Sequence, residues 1–230
     1  KHNKIILVKK IVFLVSGRGG NLVFVNETIN LLNLPFKVIG VLGDRNCHAL
    51  DYAKENSIYS KKIEYSRNNN IALKEELIKL NPDFIITNFH KIIDSEIVGL
   101  FKSKLINLHY SLLPSFSGHI GMKTLELAKN KNVKIIGTTT HQVDEIVDNG
   151  KILTQSCICI DWDKDILIED VIFKSGCVCL LNALLLEINT KNLEVYSLNL
   201  NQKNVIISPP LCFDLSKINN EFWNKIKLLS

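Results

Sequence analysis

Short apolar runs alternate with segments of helical periodicity along the first half of the chain. The apolar runs, which predict strands, lie at 11–15, 36–42, 84–88 and 105–109, with a weaker one at 61–65. The helical patterns lie between them, at 21–32, 48–56, 71–80 and 95–101. Each connection is long enough to return the chain to the same end of a sheet. The pattern therefore predicts an α/β fold built on an open, mostly parallel sheet.

The pattern changes after residue 118. A helix to about residue 130 precedes two apolar segments, 134–143 and 151–160, whose polar connection predicts paired strands near a sheet edge. The apolar segment 165–188 predicts a long, largely buried helix. The last residues predict a hairpin at 194–208 and an amphipathic helix at 215–229, capped by Asp214 or Ser216. We expect a main domain over residues 1–190 and a small C-terminal appendage over residues 191–230.

Composition narrows the class of protein. The chain has 230 residues, 46% hydrophobic and 22% charged, which is typical of a globular protein with one sizeable core. Lys9 and Lys10 interrupt an apolar stretch that is too short to cross a bilayer, and Ile11–Gly17 lacks a signal-peptide cleavage site. We predict that this run is the first core strand. The modest net charge of +5 favours a small anionic ligand, such as a phosphorylated substrate, over nucleic acid or a membrane.

The six cysteines favour a reducing, cytoplasmic setting. They lie at positions 47, 157, 159, 177, 179 and 212, without the spacing of a disulfide-stapled secreted domain. The pairs 157/159 and 177/179 lie inside apolar runs with no histidine close in sequence. We interpret them as buried thiols and expect no metal site.

A glycine-rich turn, SGRGGNL at 16–22, links the first predicted strand to the first predicted helix. Its glycines permit a tight turn with positive φ, and the helix that follows offers backbone N–H groups to an anion. Leu22 occupies the position of the third glycine of a dinucleotide fingerprint, and no Gly-Lys-Ser/Thr of a P-loop follows. Alone, the turn fits a phosphate cradle and a structural turn equally. The candidate substrate contacts are Gly17, Arg18, Gly19, Gly20 and Asn21.

The segment INLHYSLLPSFSG at 106–118 lies at the end of a predicted parallel strand, where open α/β sheets place their ligands. Asn107 and His109 are two residues apart, so both side chains point to one face of the strand. An amide and an imidazole together suit addition to a carbonyl, because one stabilises the oxyanion and the other moves a proton. A structural, hydrogen-bonded pair is the alternative. Ser111 lacks the Gly-x-Ser-x-Gly elbow, which argues against a covalent mechanism.

The loop VDEIVDNGKIL at 143–153 carries two aspartates between predicted strands, and alone it would be an ordinary acidic turn. In this order and at these separations, however, the three segments resemble the 10-formyltetrahydrofolate-dependent formyltransferases, most closely the glycinamide ribonucleotide transformylase branch. The resemblance covers about residues 10–160. Its most specific part is NLHYSLLPSFSG followed by GTTTHQVDEIVDNG. It implies a Rossmann-like formyltransferase fold and a catalytic trio of Asn107, His109 and Asp148.

The resemblance also implies roles for these residues. A primary amine would attack the formyl carbon of 10-formyltetrahydrofolate, and Asn107 with a protonated His109 would stabilise the oxyanion. Asp148 would keep the imidazole charged or relay protons. Two segments would contact the pterin of the donor, through His90, Lys91, Ile92 and Ile93 and through Asp144 and Glu145. His90 departs from the family pattern, so we expect backbone contacts to persist better than side-chain contacts.

The resemblance does not identify the amine that accepts the formyl group. For glycinamide ribonucleotide, the resemblance leads us to expect a Glu-His pair and a Tyr-Pro pair in the long helix, but residues 173–185 contain no acid. Gly20 also stands where that branch usually has serine. These differences favour a nucleotide-linked amino sugar, such as a dTDP-amino-dideoxy sugar, whose pyrophosphate would use the glycine turn with Arg18 or Arg45.

Other hypotheses for the function remain besides formyl transfer to a nucleotide sugar. Glycinamide ribonucleotide is the alternative acceptor, and a folate- or nucleotide-binding module without catalysis is a further alternative. The branches that act on initiator tRNA or on water carry additional domains and are expected less. We expect a cytoplasmic enzyme, with a homodimer as its candidate assembly.

Overall fold

The structure, a computed structural model, describes residues 7–230. The chain divides into two compact units: unit 1 ends at Leu105 and takes in Leu215–Ser230, and unit 2 comprises Ile106–Asp214. The division into a main domain over residues 1–190 and an appendage over residues 191–230 stays a prediction.

Unit 1 is a parallel α/β unit. Its strands are β1 (Lys9–Val15), β2 (Phe36–Gly43), β3 (Tyr59–Lys62) and β4 (Phe84–Asn88), paired in parallel in the order β3-β2-β1-β4. Its connecting helices are α1 (Gly20–Leu32), α2 (His48–Glu55), α3 (Ile71–Leu80) and α4 (Ser95–Leu100). The prediction of parallel strands linked by helices is confirmed for this unit.

The first apolar run is a core strand, as predicted. Residues 11–15 of β1 are at most 1% exposed. Burial of consecutive residues is expected for a parallel strand that is covered on both faces, because successive side chains point to opposite faces. The apolar content of this run therefore follows from its central position in unit 1.

Unit 2 is built on antiparallel pairs. Its strands are β5 (Leu105–His109, which enters the unit at Ile106), β6 (Ile135–Gln142), β7 (Ile152–Cys159), β8 (Ser197–Leu200) and β9 (Lys203–Ser208), in the order β5-β6-β7-β9-β8. Its helices are α5 (Lys123–Asn130) and α6 (Ile168–Glu187). The predicted pairing of β6 with β7 is confirmed. Their predicted place near a sheet edge is wrong, because β9 pairs with β7 and β8 lies beyond it.

Most of α6 is buried, as its apolar sequence predicts. Cys177 and Cys179 are fully buried, which confirms their reading as small apolar side chains. The same reading is wrong for Cys159, which is exposed, and only partly right for half-buried Cys157. The reason is the alternation along β7, in which Thr154, Ser156 and Ile158 are buried and the residues between and after them are not. Among residues 7–230, no group of three or more His, Cys, Asp or Glu side chains is arranged to hold a metal ion.

The C-terminal helix α7 (Asn220–Leu229) packs on α1 in unit 1. Trp223 stacks on Phe24 with ring centroids 5.0 Å apart and planes 10° from parallel. The predicted cap at Asp214 or Ser216 is wrong. Asn219 caps the helix by accepting a hydrogen bond from the backbone N–H of Phe222 at 3.0 Å. In the described part of the chain, no helix has the length and apolar character needed to cross a membrane.

Replacing Trp223 with alanine should lower the free energy of unfolding by about 3 kcal/mol, since it removes a buried aromatic ring and leaves a cavity. Denaturant unfolding followed by circular dichroism measures this loss. The control is Leu228→Ala on the same helix, where the side chain is 85% exposed and the expected change is within about 0.5 kcal/mol. Equal losses in the two variants would contradict the packing of α7 on α1.

Candidate active site

The sequence-predicted trio converges in unit 2. His109 ends β5, and its Nδ1 lies 3.6 Å from Oδ2 of Asp148. Asn107 lies two residues earlier on the strand, and its Nδ2 lies 3.2 Å from Nε2 of His141. The same Nε2 of His141 lies 3.6 Å from Oδ1 of Asp148. One carboxylate therefore faces two imidazoles, and the amide of Asn107 contacts the second of them.

Sequence reasoning missed His141. It lies on β6 directly opposite Asn107 in the antiparallel pairing of β5 with β6. Its Nδ1 lies 2.7 Å from the carbonyl oxygen of Gln142, so this nitrogen carries the proton and Nε2 accepts from the amide of Asn107. His141 thereby fixes the orientation of the Asn107 amide. The signal in the sequence is a histidine near the end of β6, but its position opposite Asn107 depends on strand register.

The acidic loop is shaped to present Asp148. Asp148 has a left-handed backbone conformation, with φ of 56°, and its Oδ2 accepts a hydrogen bond from the backbone N–H of Gly118 at 2.7 Å. Asp144 stabilises the loop by accepting from the backbone N–H of Ile146 at 3.0 Å and from Asn149 at 3.4 Å. Its carboxylate is therefore already bonded within the loop.

The pKa of His109 determines the charge of its imidazole in the resting site. Burial lowers the pKa of His109, and the attraction of Asp148 offsets this only in part. The imidazole is therefore mainly neutral near pH 7 in the resting site, and the expected protonated His109 at the oxyanion stage stays a prediction. Its Nε2 donates to the carbonyl oxygen of Phe116 at 3.2 Å, which leaves Nδ1 toward Asp148 as the nitrogen that can accept a proton.

Asp148 stays ionised. Burial acts to raise the pKa of Asp148, but its contacts with the imidazoles of His141 and His109 and the hydrogen bond from the N–H of Gly118 outweigh it, so the pKa is lowered. An ionised carboxylate beside a neutral imidazole stabilises the imidazolium that forms when His109 takes a proton. The arrangement suits proton transfer coupled to oxyanion stabilisation at a carbonyl carbon.

The glycine turn lies in unit 1, at the start of α1. Of its three glycines only Gly19 has a positive φ, at 83°, so the predicted conformation is confirmed for Gly19 and wrong for Gly17 and Gly20. A Cβ on Gly19 would also lie 2.6 Å from Cβ of Ala49. Asn21 is buried and donates to Oδ1 of Asn88 at 3.4 Å.

Arg18 and Arg45, the two arginines considered as phosphate ligands, differ in whether their charge is already paired. Arg45 makes two hydrogen bonds to Asp44, at 3.0 and 2.8 Å, so its charge is already paired with a buried carboxylate. Burial would raise the pKa of Asp44, but hydrogen bonds from Arg45 and Ser16 lower it. This pairing weighs against Arg45 as a phosphate ligand. Arg18 is exposed, and within residues 7–230 it forms no ion pair.

The predicted donor-binding segments lie in both units. In unit 1, His90, Lys91 and Ile92 are exposed after β4, whereas Ile93 is buried and packs inward. The backbone N–H of His90 donates to Oγ of Ser16 at 2.8 Å, so this segment is fixed to the glycine turn. In unit 2, Glu145 is exposed on the acidic loop.

The chain belongs to the formyl transferase family, whose model matches residues 9–168. It is 30% identical to the phosphoribosylglycinamide formyltransferase of Haemophilus influenzae over 66% of this chain and 74% of the relative. It is 31% identical to the chloroplastic phosphoribosylglycinamide formyltransferase of Vigna unguiculata over 65% of this chain and 51% of the relative. A formyltetrahydrofolate deformylase of H. influenzae is 34% identical over 39% of this chain and 31% of the relative.

These alignments have limited extent. The matched part of the chain spans about a third of the deformylase and about half of the Vigna enzyme.

Solved structures confirm the predicted fold. Glycinamide ribonucleotide transformylase 1 from Symbiobacterium toebii matches with a TM-score of 0.73 at 22% identity, covering 88% of this chain and 95% of that one. Phosphoribosylglycinamide formyltransferase from Bacillus halodurans matches with a TM-score of 0.72 at 25% identity, covering 80% of this chain and 98% of that one. The fold is the α/β formyltransferase fold, with a mixed rather than mostly parallel set of strands.

The expected nucleotide-sugar acceptor is not supported. The relatives above are named for phosphoribosylglycinamide or for formyltetrahydrofolate, and none for a sugar. The missing acid on α6 remains a real difference: no acid lies in residues 173–185, and Asp170 is bonded to Lys174 and Asn201. An absent residue excludes one contact, however, and does not identify another substrate.

Replacing Gly19 with alanine should lower the free energy of unfolding by at least about 2 kcal/mol, because a Cβ there is both in left-handed backbone and against Ala49. The control is Gly99→Ala in α4, where a Cβ meets nothing within 4 Å and helix propensity predicts a gain of up to about 1 kcal/mol. Thermal or urea unfolding measures both. A neutral Gly19→Ala would show that the turn does not need glycine.

NMR titration of His109 should give a pKa below the usual 6.5, since burial disfavours the imidazolium. In Asp148→Asn the pKa should fall further, because the carboxylate that partly offsets burial is gone. The sign follows from linkage: the unfolded chain binds this proton more readily, so His109 lowers the stability of the fold as pH drops below 6.5. A pKa that rises in Asp148→Asn would contradict the pairing.

Proposed function

We propose that the chain transfers the formyl group of 10-formyltetrahydrofolate to the primary amine of glycinamide ribonucleotide. The observation that carries this proposal is the convergence of Asn107, His109 and Asp148 at the end of β5, in a member of the formyl transferase family. The acceptor is inferred from relatives named as phosphoribosylglycinamide formyltransferases, matched over about two thirds of this chain.

The proposed chemistry follows from the donors and charges of the site. The folate donor supplies an activated formyl carbon. The amide of Asn107, oriented by its contact with His141, would stabilise the negative charge that develops on the formyl oxygen. Neutral His109 accepts the proton that the attacking amine must lose as the new C–N bond forms. Asp148 stabilises the resulting imidazolium, which returns the proton to the departing folate nitrogen as the old C–N bond breaks.

Binding roles are proposed separately for each unit. In unit 1, the glycine turn would bind the phosphate of the acceptor through Gly17, Arg18, Gly19, Gly20 and Asn21. The position of Gly19 supports this, because it precedes α1 without providing a side-chain cap and the N-terminal end of a helix attracts an anion. For the folate donor we propose backbone and side-chain contacts from His90, Lys91, Ile92 and Ile93 and from Asp144 and Glu145.

Hydrolysis of the donor is a second candidate, with water as the acceptor. Two observations favour it: residues 173–185 of α6 carry no acid to hold an amine, and the chain is 37% identical over 81 residues to a formyltetrahydrofolate deformylase of Escherichia coli. The same trio would then position and deprotonate water.

A product assay separates these functions. The protein is incubated with 10-formyltetrahydrofolate alone, with glycinamide ribonucleotide added, and with a dTDP-amino sugar added, and formate, formylated acceptor and tetrahydrofolate are quantified. Formylated glycinamide ribonucleotide in step with tetrahydrofolate supports the proposal. Formate at the same rate in all arms supports hydrolysis. A formylated sugar, or no turnover in any arm, contradicts both candidates.

His109→Ala should reduce kcat by roughly 10²- to 10⁴-fold, the range that acid–base catalysis supplies. Binding of tetrahydrofolate should change by less than about threefold, since the imidazole acts mainly in the transition state. Steady-state kinetics and calorimetric titration provide the two measurements, with the melting temperature as a control for folding. Retention of more than about a tenth of kcat would remove His109 from this role.

A further inference from the structure

A buried tyrosine hydroxyl fixes the segment after β4 at two points. Tyr65 is 6% exposed and Asp94 is 7% exposed. The hydroxyl accepts a hydrogen bond from the backbone N–H of Asp94 at 2.8 Å. It also lies 3.0 Å from the carbonyl oxygen of Ile92 and 3.0 Å from Oδ2 of Asp94. The ring of Tyr65 lies against Phe89, with centroids 5.5 Å apart.

The carboxylate of Asp94 extends this network. Its Oδ1 accepts from the backbone N–H of Ile97 at 3.1 Å, which caps α4, and from Asn70 at 2.8 Å. Burial acts to raise the pKa of Asp94, but hydrogen bonds from Asn70, Ile97 and Tyr65 outweigh it, so Asp94 is ionised. Burial raises the pKa of Tyr65, so the phenol keeps its proton. A neutral phenol 3.0 Å from an ionised carboxylate oxygen can donate a charge-assisted hydrogen bond to it.

These contacts hold a segment whose middle is exposed. His90, Lys91 and Ile92 are exposed, while Asp94 is anchored at the C-terminal side of the segment. On the N-terminal side, the backbone N–H of His90 is bonded to Ser16. The exposed residues are therefore presented on a backbone whose conformation is set from beneath by Tyr65.

We propose that Tyr65 is a positioning residue for binding of the folate donor: its hydroxyl sets the backbone of residues 90–94, and residues 90–93 contact the donor. The inference rests on the proposed function, which assigns the donor to this segment. Tyr65 itself does not touch the donor. Loss of its hydroxyl leaves a buried N–H and a buried carboxylate with fewer partners, and the segment adjusts to satisfy them.

Unit 1 offers a matched control in Tyr52. Its side chain is 1% exposed, and its hydroxyl accepts from Asn26 at 2.9 Å and donates to a carboxylate oxygen of Glu27 at 2.9 Å. Tyr52→Phe therefore removes the same type of buried hydroxyl, from the same kind of network, on helices α1 and α2 rather than beneath residues 90–94. Each variant should lower the melting temperature by a similar amount.

The test is calorimetric titration of tetrahydrofolate into wild type, Tyr65→Phe and Tyr52→Phe. Tyr65→Phe should weaken binding about tenfold, or about 1.4 kcal/mol, and raise KM for the donor by a similar factor, with kcat and KM for the acceptor within about threefold. Tyr52→Phe should leave both values unchanged. Amide hydrogen exchange should speed up at residues 90–94 in Tyr65→Phe only. If Tyr65→Phe does not fold, Asp94→Asn takes its place, since it keeps the shape but weakens the charge-assisted bond.

The outcomes are distinguishable. Unchanged binding in Tyr65→Phe, or equal weakening in both tyrosine variants, overturns the positioning role while leaving the proposed function standing. Failure of the wild type to bind tetrahydrofolate overturns the proposed function and, with it, the positioning role. Weakened binding with unchanged exchange at residues 90–94 also contradicts the inference, because the effect would not act through that backbone.

Discussion

The carboxylate of Asp148 is the group on which the rest of the candidate site depends. It is held by the N–H of Gly118, and it lies 3.6 Å from the imidazoles of both His109 and His141. Without this charge, burial would dominate the pKa of His109. Protonation of the buried imidazole would then cost more free energy. Because the carboxylate remains ionised, it stabilises the imidazolium of His109 at a buried position where protonation would otherwise be unfavourable. The site thus combines a neutral base with a nearby charge that stabilises its protonated form.

Placing that carboxylate requires the architecture of unit 2. The antiparallel strands β6 and β7 carry the acidic loop between them, and Asp144 bonds within the loop while Asp148 adopts a left-handed conformation. Gly150 is required where the loop returns, because a Cβ there would lie 1.8 Å from the carbonyl oxygen of Gln142. The same pairing of strands brings His141 opposite Asn107. Backbone geometry sets the positions of the reactive groups, and the contact with His141 orients the amide of Asn107.

The sequence predicted what depends on local pattern. The buried run of β1, the helix that follows Gly19 and the buried α6 are all visible as apolar periodicity and glycine placement. Non-local features were missed: the pairing of β9 with β7 and the position of His141 opposite Asn107 both depend on strand register, which periodicity does not specify. The effect of burial on the resting charge of His109 was not predicted, because burial is a tertiary property. The expected nucleotide-sugar acceptor is not supported, because the absence of an acid on α6 says which contact is lost and not which substrate is gained.

Whether His109 and Asp148 act as one unit is measured most directly by a double-mutant cycle on kcat/KM with His109→Ala, Asp148→Asn and the double variant. If Asp148 acts through His109, the double variant should be no slower than His109→Ala within about threefold, since the carboxylate has no imidazolium left to stabilise. Losses that multiply, so that the double variant falls by the product of the two single effects, would contradict the coupling on which the site depends.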